Sequence, residues 1–236
     1  MTEKKRALVT AGATLVPIDQ VRAITNIFKG KTGTEIAKTL LDFGWEVTLV
    51  TSNPGLVEAI IDRHLEDWEK PLSQVKLKVV PYKTFDDLAA ILEEEIRGSY
   101  YDLVVHSAAV SDYKVTGVSA MDELGQLHSV DASTKISSTC PKLYLELSPT
   151  PKLIDQFRKW GFEGLLVKFK LQVGKTDGEL LRIAKDSLLS SKADLIVANC
   201  LEWADRYAYV VDACGDSKSV SRSAIGVSIH MYWQEH

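Results

Sequence analysis

Short apolar runs rich in β-branched residues alternate with stretches of helical period along most of this chain, and such alternation fits a parallel sheet covered on both faces by helices. Arg6 to Thr10 reads as a buried strand, with Ala7, Leu8 and Val9 apolar and Gly12 punctuating it. Beyond Gly30 and Gly33, Ile36, Ala37, Leu40 and Leu41 recur at helical spacing, and Gly44 stands where a helix C-terminus favours glycine. Glu46 to Thr51 is a second strand, so the opening is a βαβ unit. A helical stretch Leu56 to Glu69, a strand Val75 to Pro81, a helix Phe85 to Ile96 and a strand Asp102 to His106 continue the pattern. Residues 107–142 carry few apolar residues in any period and read as a long functional loop or flap. Lys142 to Leu147 is strand-like and Pro151 to Trp160 helical, with Pro151 suited to a first turn. A strand Gly164 to Lys170, a helix Asp177 to Ser191 and strands Asp194 to Ala198 and Tyr207 to Asp212 follow. Ser221 to His236 reads as either a strand or a terminal helix.

The fold class is therefore α/β: a Rossmann-like, mostly parallel sheet with helices on both faces and a long flap. No repeat, low-complexity tract or linker interrupts residues 1–236, so one domain is expected. With 236 residues, 45% of them hydrophobic and 25% charged, the chain has ordinary globular usage, which excludes disordered, collagen-like and coiled-coil classes. Twenty-eight basic against 32 acidic residues give a net charge of −4, so no global basic field exists to hold nucleic acid. Cys140, Cys200 and Cys214 form no CxxC and the histidines no HExxH, which fits reduced thiols in a cytoplasmic protein. No apolar run approaches the roughly 18 residues of a membrane span, and the opening is broken by Gly12, Pro17 and Asp19. Neither a signal peptide nor a membrane anchor is expected.

Open α/β sheets bind ligands at the carboxyl ends of their strands, which directs attention to three loops. The first runs from Thr10 through Gly12 to Gly30, Lys31, Thr32 and Gly33, combining glycines with a helix start whose free N–H groups can bind phosphate. The same glycines could simply make the turn and cap the helix. A P-loop would need glycine where Thr25 stands, and no GxGxxG follows the first strand. The second loop, His106 to Tyr113, offers small residues for close ligand approach and Asp112 for a hydrated divalent ion, although aspartate also serves turns as a backbone acceptor. The third holds Lys135, a cation able to neutralise charge on phosphate or carboxylate, or simply a solvated surface lysine. Phe169 and Asn199, near the ends of late strands, offer a stacking face and an amide to a base; as core filler and turn residue they would be equally ordinary.

Taken together, TAGATLVPIDQVRAITN followed by GKTG (residues 10–33), EVTLVT, HSAAVSDYKV (106–115), KISST (135–139), SPTPKLI (148–154), FKLQV (169–173) and ADLIVAN (193–199) are far more specific than any single motif. In order and spacing, up to about residue 212, the chain resembles the phosphopantothenoylcysteine synthetase family, the phosphopantothenate-cysteine ligases of coenzyme A synthesis, particularly the stand-alone bacterial form. The resemblance implies activation of the 4'-phosphopantothenate carboxylate by a nucleoside triphosphate with release of pyrophosphate. The amine of L-cysteine then attacks the acyl-nucleotide to form an amide. It further implies CTP as co-substrate, with ATP as the lesser alternative, magnesium, and a homodimer.

Residue by residue, Asn26 matches the asparagine that handles the acyl-nucleotide, Arg22 the arginine just upstream, and Lys135 the flap lysine that helps form that intermediate. Ala108, Ala109 and Asp112 match the nucleotide and magnesium loop, and Phe169 and Asn199 match base-pocket positions. Pro151, Lys152, Leu153 and Ile154 match a helix start bordering the base, and Gly12, Gly30 and Gly33 match glycines that cradle phosphate. The chain departs from the family pattern at Phe28, where serine is usual and Lys29 follows, at Lys168, a usual glycine position, and at Cys200, where many bacterial members have aspartate. These departures bear on nucleotide preference. Two other classes share parts of the pattern. An NADP-linked oxidoreductase would share the alternation, but the second strand ends in Thr51-Ser52 without an acidic ribose ligand and no YxxxK occurs. A noncatalytic nucleotide-binding module would keep the glycines and base pocket with no need of Lys135.

Overall fold

A computed structural model describes residues 5–58, 76–139 and 142–236. Its centre is an eight-stranded sheet. Strand β1 (Arg6–Ala11) lies in the middle, with β4 (Glu46–Thr51) and then β5 (Leu77–Pro81) on one side. On the other side come β6 (Leu103–His106), β10 (Leu165–Gln172), β11 (Leu195–Cys200), β12 (Tyr207–Asp212) and β13 (Ser217–Ser221). The six strands from β5 to β11 are parallel, and β12 and β13 add an antiparallel edge.

Alternation of side chains along the strands divides the core in two, as a sheet buried on both faces requires. Leu8, Val50, Val104, Leu166 and Ile196 face helices α2 (Phe85–Gly98) and α3 (Asp177–Ser191), through Leu88, Leu92, Leu180 and Leu188. Val9, Leu49, Val105, Val167 and Val197 face α1 (Lys31–Asp42) and α4 (Ile225–Glu235), through Ile36, Leu40, Ile225 and Ile229. The expected sheet, covered on both faces, is thus present.

Local chemistry sets the helix boundaries. Thr84 with Asp87 and Thr176 with Glu179 form capping boxes at the starts of α2 and α3. Helix α1 ends in a Schellman motif: Gly44 (φ +79°) donates to Leu41 O at 2.9 Å and Trp45 to Leu40 O at 3.0 Å. The terminal segment is the helix α4 after the unanticipated strand β13. Gly226 lets α4 lie directly on α1, since a Cβ there would come within 2.8 Å of Thr39 Cβ. Trp45 Nε1 donates to His230 Nδ1 at 3.2 Å, which fixes the same helix from the β4 side.

Two expectations need correction. Residues 107–142 are not simply a loop: β7 (Tyr113–Met121), β8 (Leu127–Ser129) and β9 (Lys142–Pro149) form a separate antiparallel sheet in the order β8-β7-β9. Its side chains are mostly exposed or half-buried, so no buried face imposes the apolar alternation by which a strand is recognised. The helix expected over Pro151 to Trp160 is a 3-10 turn, Leu153–Asp155, continued by hydrogen-bonded turns. Buried Leu153 and Phe157 mimic helical spacing, but Asp155 N donates to Lys152 O and Gln156 N to Leu153 O, the tighter 3-10 pattern. A short hairpin of β2 (Leu15–Pro17) and β3 (Ala23–Thr25) also interrupts the first long loop. The helical stretch expected from Leu56 to Glu69 is described only to residue 58, where the chain is helical, and Cys140 lies outside the described residues. No described helix is long and apolar enough to cross a membrane.

Candidate functional site

The sheet reverses its strand order between β1 and β6, so the loops leaving their carboxyl ends diverge to opposite sides and open a crevice, the usual ligand site of such sheets. The two loops are tied together beyond the strands. Ala109 N donates to Gly12 O at 2.8 Å, Ala108 N to Thr10 Oγ1 at 3.0 Å and Ser111 N to Thr14 Oγ1 at 2.9 Å. Tyr82 donates its hydroxyl to Ala11 O at 2.9 Å, and burial pushes that phenol up to about 12.

The three glycines have distinct tasks. Gly30 caps α1 at φ +89°, and a Cβ on it would lie 2.4 Å from Gly12 N. Gly12, at φ +92°, could carry no Cβ without meeting Ser52 Oγ at 2.0 Å. Gly33 abuts Ser107 Oγ and Thr10 O. These absences of side chain let the helix start press against the end of β1: Gly30 meets the Gly12 backbone, Gly33 packs on Ser107, Ala11 and Thr10 O, and Gly12 itself packs on the Ser52 side chain. Helix α1 has no side-chain cap and no acidic residue in its first turn, unlike α2 and α3. Its first N–H groups are the kind that an anion can satisfy.

A cleft of about 460 Å³ opens here, walled by Gly12, Phe28, Gly30, Gly33, Ala108, Ala109, Phe169 and Asn199. Lys29, Lys31 and Arg222 supply three positive charges to its lining, against the carboxylate of Asp205 in the lining and that of Glu35 beside it, which stands 3.8 Å from Lys31 Nζ and 3.5 Å from Arg222 Nε. Phe169 and Asn199 come from adjacent parallel strands, with Leu171 opposite Asn199 in the register. Cys200 points to the other face, buried, with its thiol 3.5 Å from Lys175 O, so this departure from the family pattern lies in the core.

A smaller cavity of about 140 Å³ adjoins the first and shares Ala108 and Phe169 with it. Asp112, Pro151, Lys152, Leu153, Ile154, His106 and Lys168 line it. Asp112 pairs with the Lys152 ammonium, both well exposed. Among the described residues, no cluster of three or more His, Cys, Asp or Glu side chains could hold a metal. A single carboxylate suits magnesium that arrives on substrate phosphates and keeps much of its water. Lys168 is buried and donates to Ser187 O and Ser191 Oγ, both at 2.9 Å, near the C-terminal end of α3, where a cation is favoured. Burial lowers its ammonium to about 8. His106, opposite Lys168 in the register, is lowered to about 4 by burial and then by the lysine charge. It is therefore neutral near pH 7, and its Nδ1 lies 3.1 Å from Thr10 Oγ1.

The remaining expected residues, Arg22, Asn26 and Lys135, are outside the lining of both cavities. Asn26 directly precedes the lining residues Ile27 and Phe28, and its Nδ2 donates to Ala109 O at 3.1 Å, bridging the two loops. Arg22 donates through Nε to Asp19 Oδ2 at 2.9 Å and through Nη2 to Ile136 O at 2.9 Å. Lys135 is exposed on the adjacent segment, whose next residue, Ile136, is buried.

Sequence reasoning missed Asp19, whose fully buried carboxylate accepts from Val21 N, Arg22 N and Ile136 N besides the arginine. The arginine hydrogen bond holds that carboxyl well below the usual range. Asp19 and Arg22 at i, i+3 were the available signal. Arg222 had none, because only the fold brings it to Thr32.

Residues 2–208 match the family model described as the DNA/pantothenate metabolism flavoprotein C-terminal domain. The chain is 36% identical over 200 residues to the coenzyme A biosynthesis bifunctional protein CoaBC of Thermococcus kodakarensis, covering 85% of this chain and 42% of that protein. The chain thus spans about two fifths of the length of the curated relatives it matches. The crystal structure of the DNA/pantothenate metabolism flavoprotein from Streptococcus pneumoniae superposes with a TM-score of 0.80 at 30% identity, covering 99% of both chains. The C-terminal domain of a CoaBC protein shares the fold at 20% identity, with a TM-score of 0.67 over 98% of this chain and 97% of that one.

Proposed function

The chain belongs to the DNA/pantothenate metabolism flavoprotein C-terminal domain family, and from that premise we propose that it is a phosphopantothenate-cysteine ligase of coenzyme A biosynthesis, using CTP. The observation that carries the reading is the cationic cleft at the strand-order reversal, where Lys29, Lys31 and Arg222 meet the uncapped start of α1. Such a site suits phosphorylated substrates. The 4'-phosphopantothenate carboxylate attacks the α-phosphorus of the nucleotide and pyrophosphate leaves; the cysteine amine then attacks the acyl carbon and the nucleoside monophosphate leaves.

Both reacting partners of the first step are anions, so cations near the carboxylate and triphosphate lower their repulsion. Lys135 takes this task, held on a segment that Asp19 and Arg22 secure at Ile136. Asn26 spends one N–H on Ala109 O; its amide has a second, which stabilises the oxyanion during amine attack. Phe169 offers a face and Asn199 an amide to the base, while Pro151 to Ile154 border it. Asp112 would hold magnesium, which neutralises phosphate charge when bound.

Incubation with 4'-phosphopantothenate, cysteine and magnesium, with CTP or ATP in turn, tests the reading. Pyrophosphate release that depends on phosphopantothenate, with a preference for CTP, is expected, and EDTA should abolish it. Release of orthophosphate alone would defeat the ligase reading. The proposal includes a homodimer, supported by exposed Leu143, Tyr144 and Leu147 on β9; sedimentation at a single-chain mass would refute that part.

A further inference from the structure

The cations of the cleft reach it from two distant parts of the chain. Lys29 and Lys31 flank Gly30, whereas Arg222 follows β13 in a 3-10 turn, Arg222–Ala224. Its placement is built rather than incidental. The Arg222 backbone N donates to Arg206 O at 2.9 Å, Nη2 donates to Thr32 Oγ1 at 3.0 Å, and Glu35 Oε2 stands 3.5 Å from Nε. Helix α4, which follows at once, is locked on α1 by the Gly226–Thr39 contact. The guanidinium is thereby fixed beside the first turn of α1, its buried Nε turned to the Glu35 carboxylate while the side chain keeps 24% of its surface exposed in the lining of the cleft. A guanidinium carries five N–H donors, so the contacts with Thr32 and Glu35 orient it and leave others for an anionic acceptor in the cleft.

We propose that Arg222 is a phosphate-binding residue of the cleft: with Lys29, Lys31 and the first N–H groups of α1, it holds a phosphate group of a substrate. The inference rests on the ligase reading for the identity of that substrate, because both 4'-phosphopantothenate and the nucleotide carry the required chemistry. A guanidinium suits the task because its donors are held in a planar fork that matches phosphate oxygens. Thr32 and Glu35 orient the fork, and the C-terminal segment thus completes a site begun at the other end of the chain.

The test compares the wild-type chain with Arg222→Gln and Arg222→Lys in three measurements. Calorimetry with inorganic pyrophosphate should show a Kd raised at least about tenfold in Arg222→Gln, as expected for one lost charge-assisted hydrogen bond, and raised less in Arg222→Lys. The KM of one substrate should rise by a similar factor with kcat little changed. A rise confined to 4'-phosphopantothenate assigns the site to its phosphate, and one confined to the nucleotide assigns it to the triphosphate. Melting curves establish that the variants are folded. Should Arg222→Gln not fold, Thr32→Val removes the orienting hydroxyl and should give a smaller rise in the same constants. Failure of the wild-type chain to bind pyrophosphate, or unchanged Kd and KM in a folded variant, overturns the proposal. Absence of any ligase turnover, with pyrophosphate binding still dependent on Arg222, would instead defeat the ligase reading alone.

Discussion

Arg22 and Asp19 form an ion pair through Nε and Nη2 of the arginine to one carboxylate oxygen, and both residues reach across to the backbone of Ile136. The pair therefore ties the turn between β2 and β3 to the segment carrying Lys135. A second tie runs from Gln20 Nε2 to Ser133 O at 2.7 Å.

Asp19→Asn should loosen that segment. The Ile136 amide, which donates to Asp19 Oδ2 at 3.1 Å, should exchange with solvent faster, and pyrophosphate release should fall in the same direction as in Lys135→Gln. Lys135→Gln itself should lose acyl-nucleotide formation with an unchanged melting point, since its side chain is exposed. Because the folded carboxyl of Asp19 is depressed, its contribution is present above the unfolded pKa and is lost only as pH falls through the folded one. Ile136 exchange that does not change in Asp19→Asn would remove the pair from its positioning role.

The glycines separate backbone conformation from close packing. Gly44→Ala meets no atom within 4 Å and should cost only the left-handed penalty, about 1–2 kcal/mol. Gly30→Ala carries the same penalty and also drives a Cβ against Gly12 N, so its loss should be at least about 3 kcal/mol. Urea unfolding of the two variants checks the difference. Equal losses would show that the start of α1 can draw back from β1.

How much of this was legible in the sequence depends on what each residue is buried against. Strands such as β4 and β11 announce themselves because both faces are covered, and apolar runs like Val47–Val50 and Leu195–Ala198 follow. Strand β7 does not, because its sheet stands largely in solvent. Within the site, the glycines, Ala108, Phe169 and Asn199 follow from placing short motifs at the ends of parallel strands, and they do share one cleft. The Asp19 tie to Ile136 spans 117 residues and the Arg222 bond to Thr32 spans 190, so neither leaves a local pattern to read.

The buried pair His106 and Lys168 should leave two marks on stability. Both folded pKa values lie below the ordinary ones, so the unfolded chain binds more protons and stability rises with pH across each interval. For His106 the interval is about pH 4 to 6.5, and the gain across it should be about 3 kcal/mol, lost again as pH falls. For Lys168 it runs from about pH 8 to 10.5. Urea midpoints measured against pH should lose the lower rise in His106→Gln and the upper one in Lys168→Met. An unchanged profile in either variant would mean that the fold does not disfavour the charged form of that group.

Asn26 tests the second half of the proposed reaction. Its Nδ2 hydrogen bond to Ala109 O joins the loop before α1 to the loop after β6, so a purely architectural role would be to keep the cleft walls in register. Asn26→Asp keeps the size, removes both N–H donors and sets a carboxylate against that carbonyl. The lost tie should cost about 1 kcal/mol, which a melting curve records. If Asn26 acts on the oxyanion, one equivalent of pyrophosphate should still appear in a single turnover while acyl-nucleotide accumulates and little amide forms. If its role is architectural, pyrophosphate and amide should fall together, in step with the melting point. Mass spectrometry of a quenched single turnover distinguishes the two. A full amide yield would exclude Asn26 from both tasks, since neither the donor nor the tie would then limit the reaction.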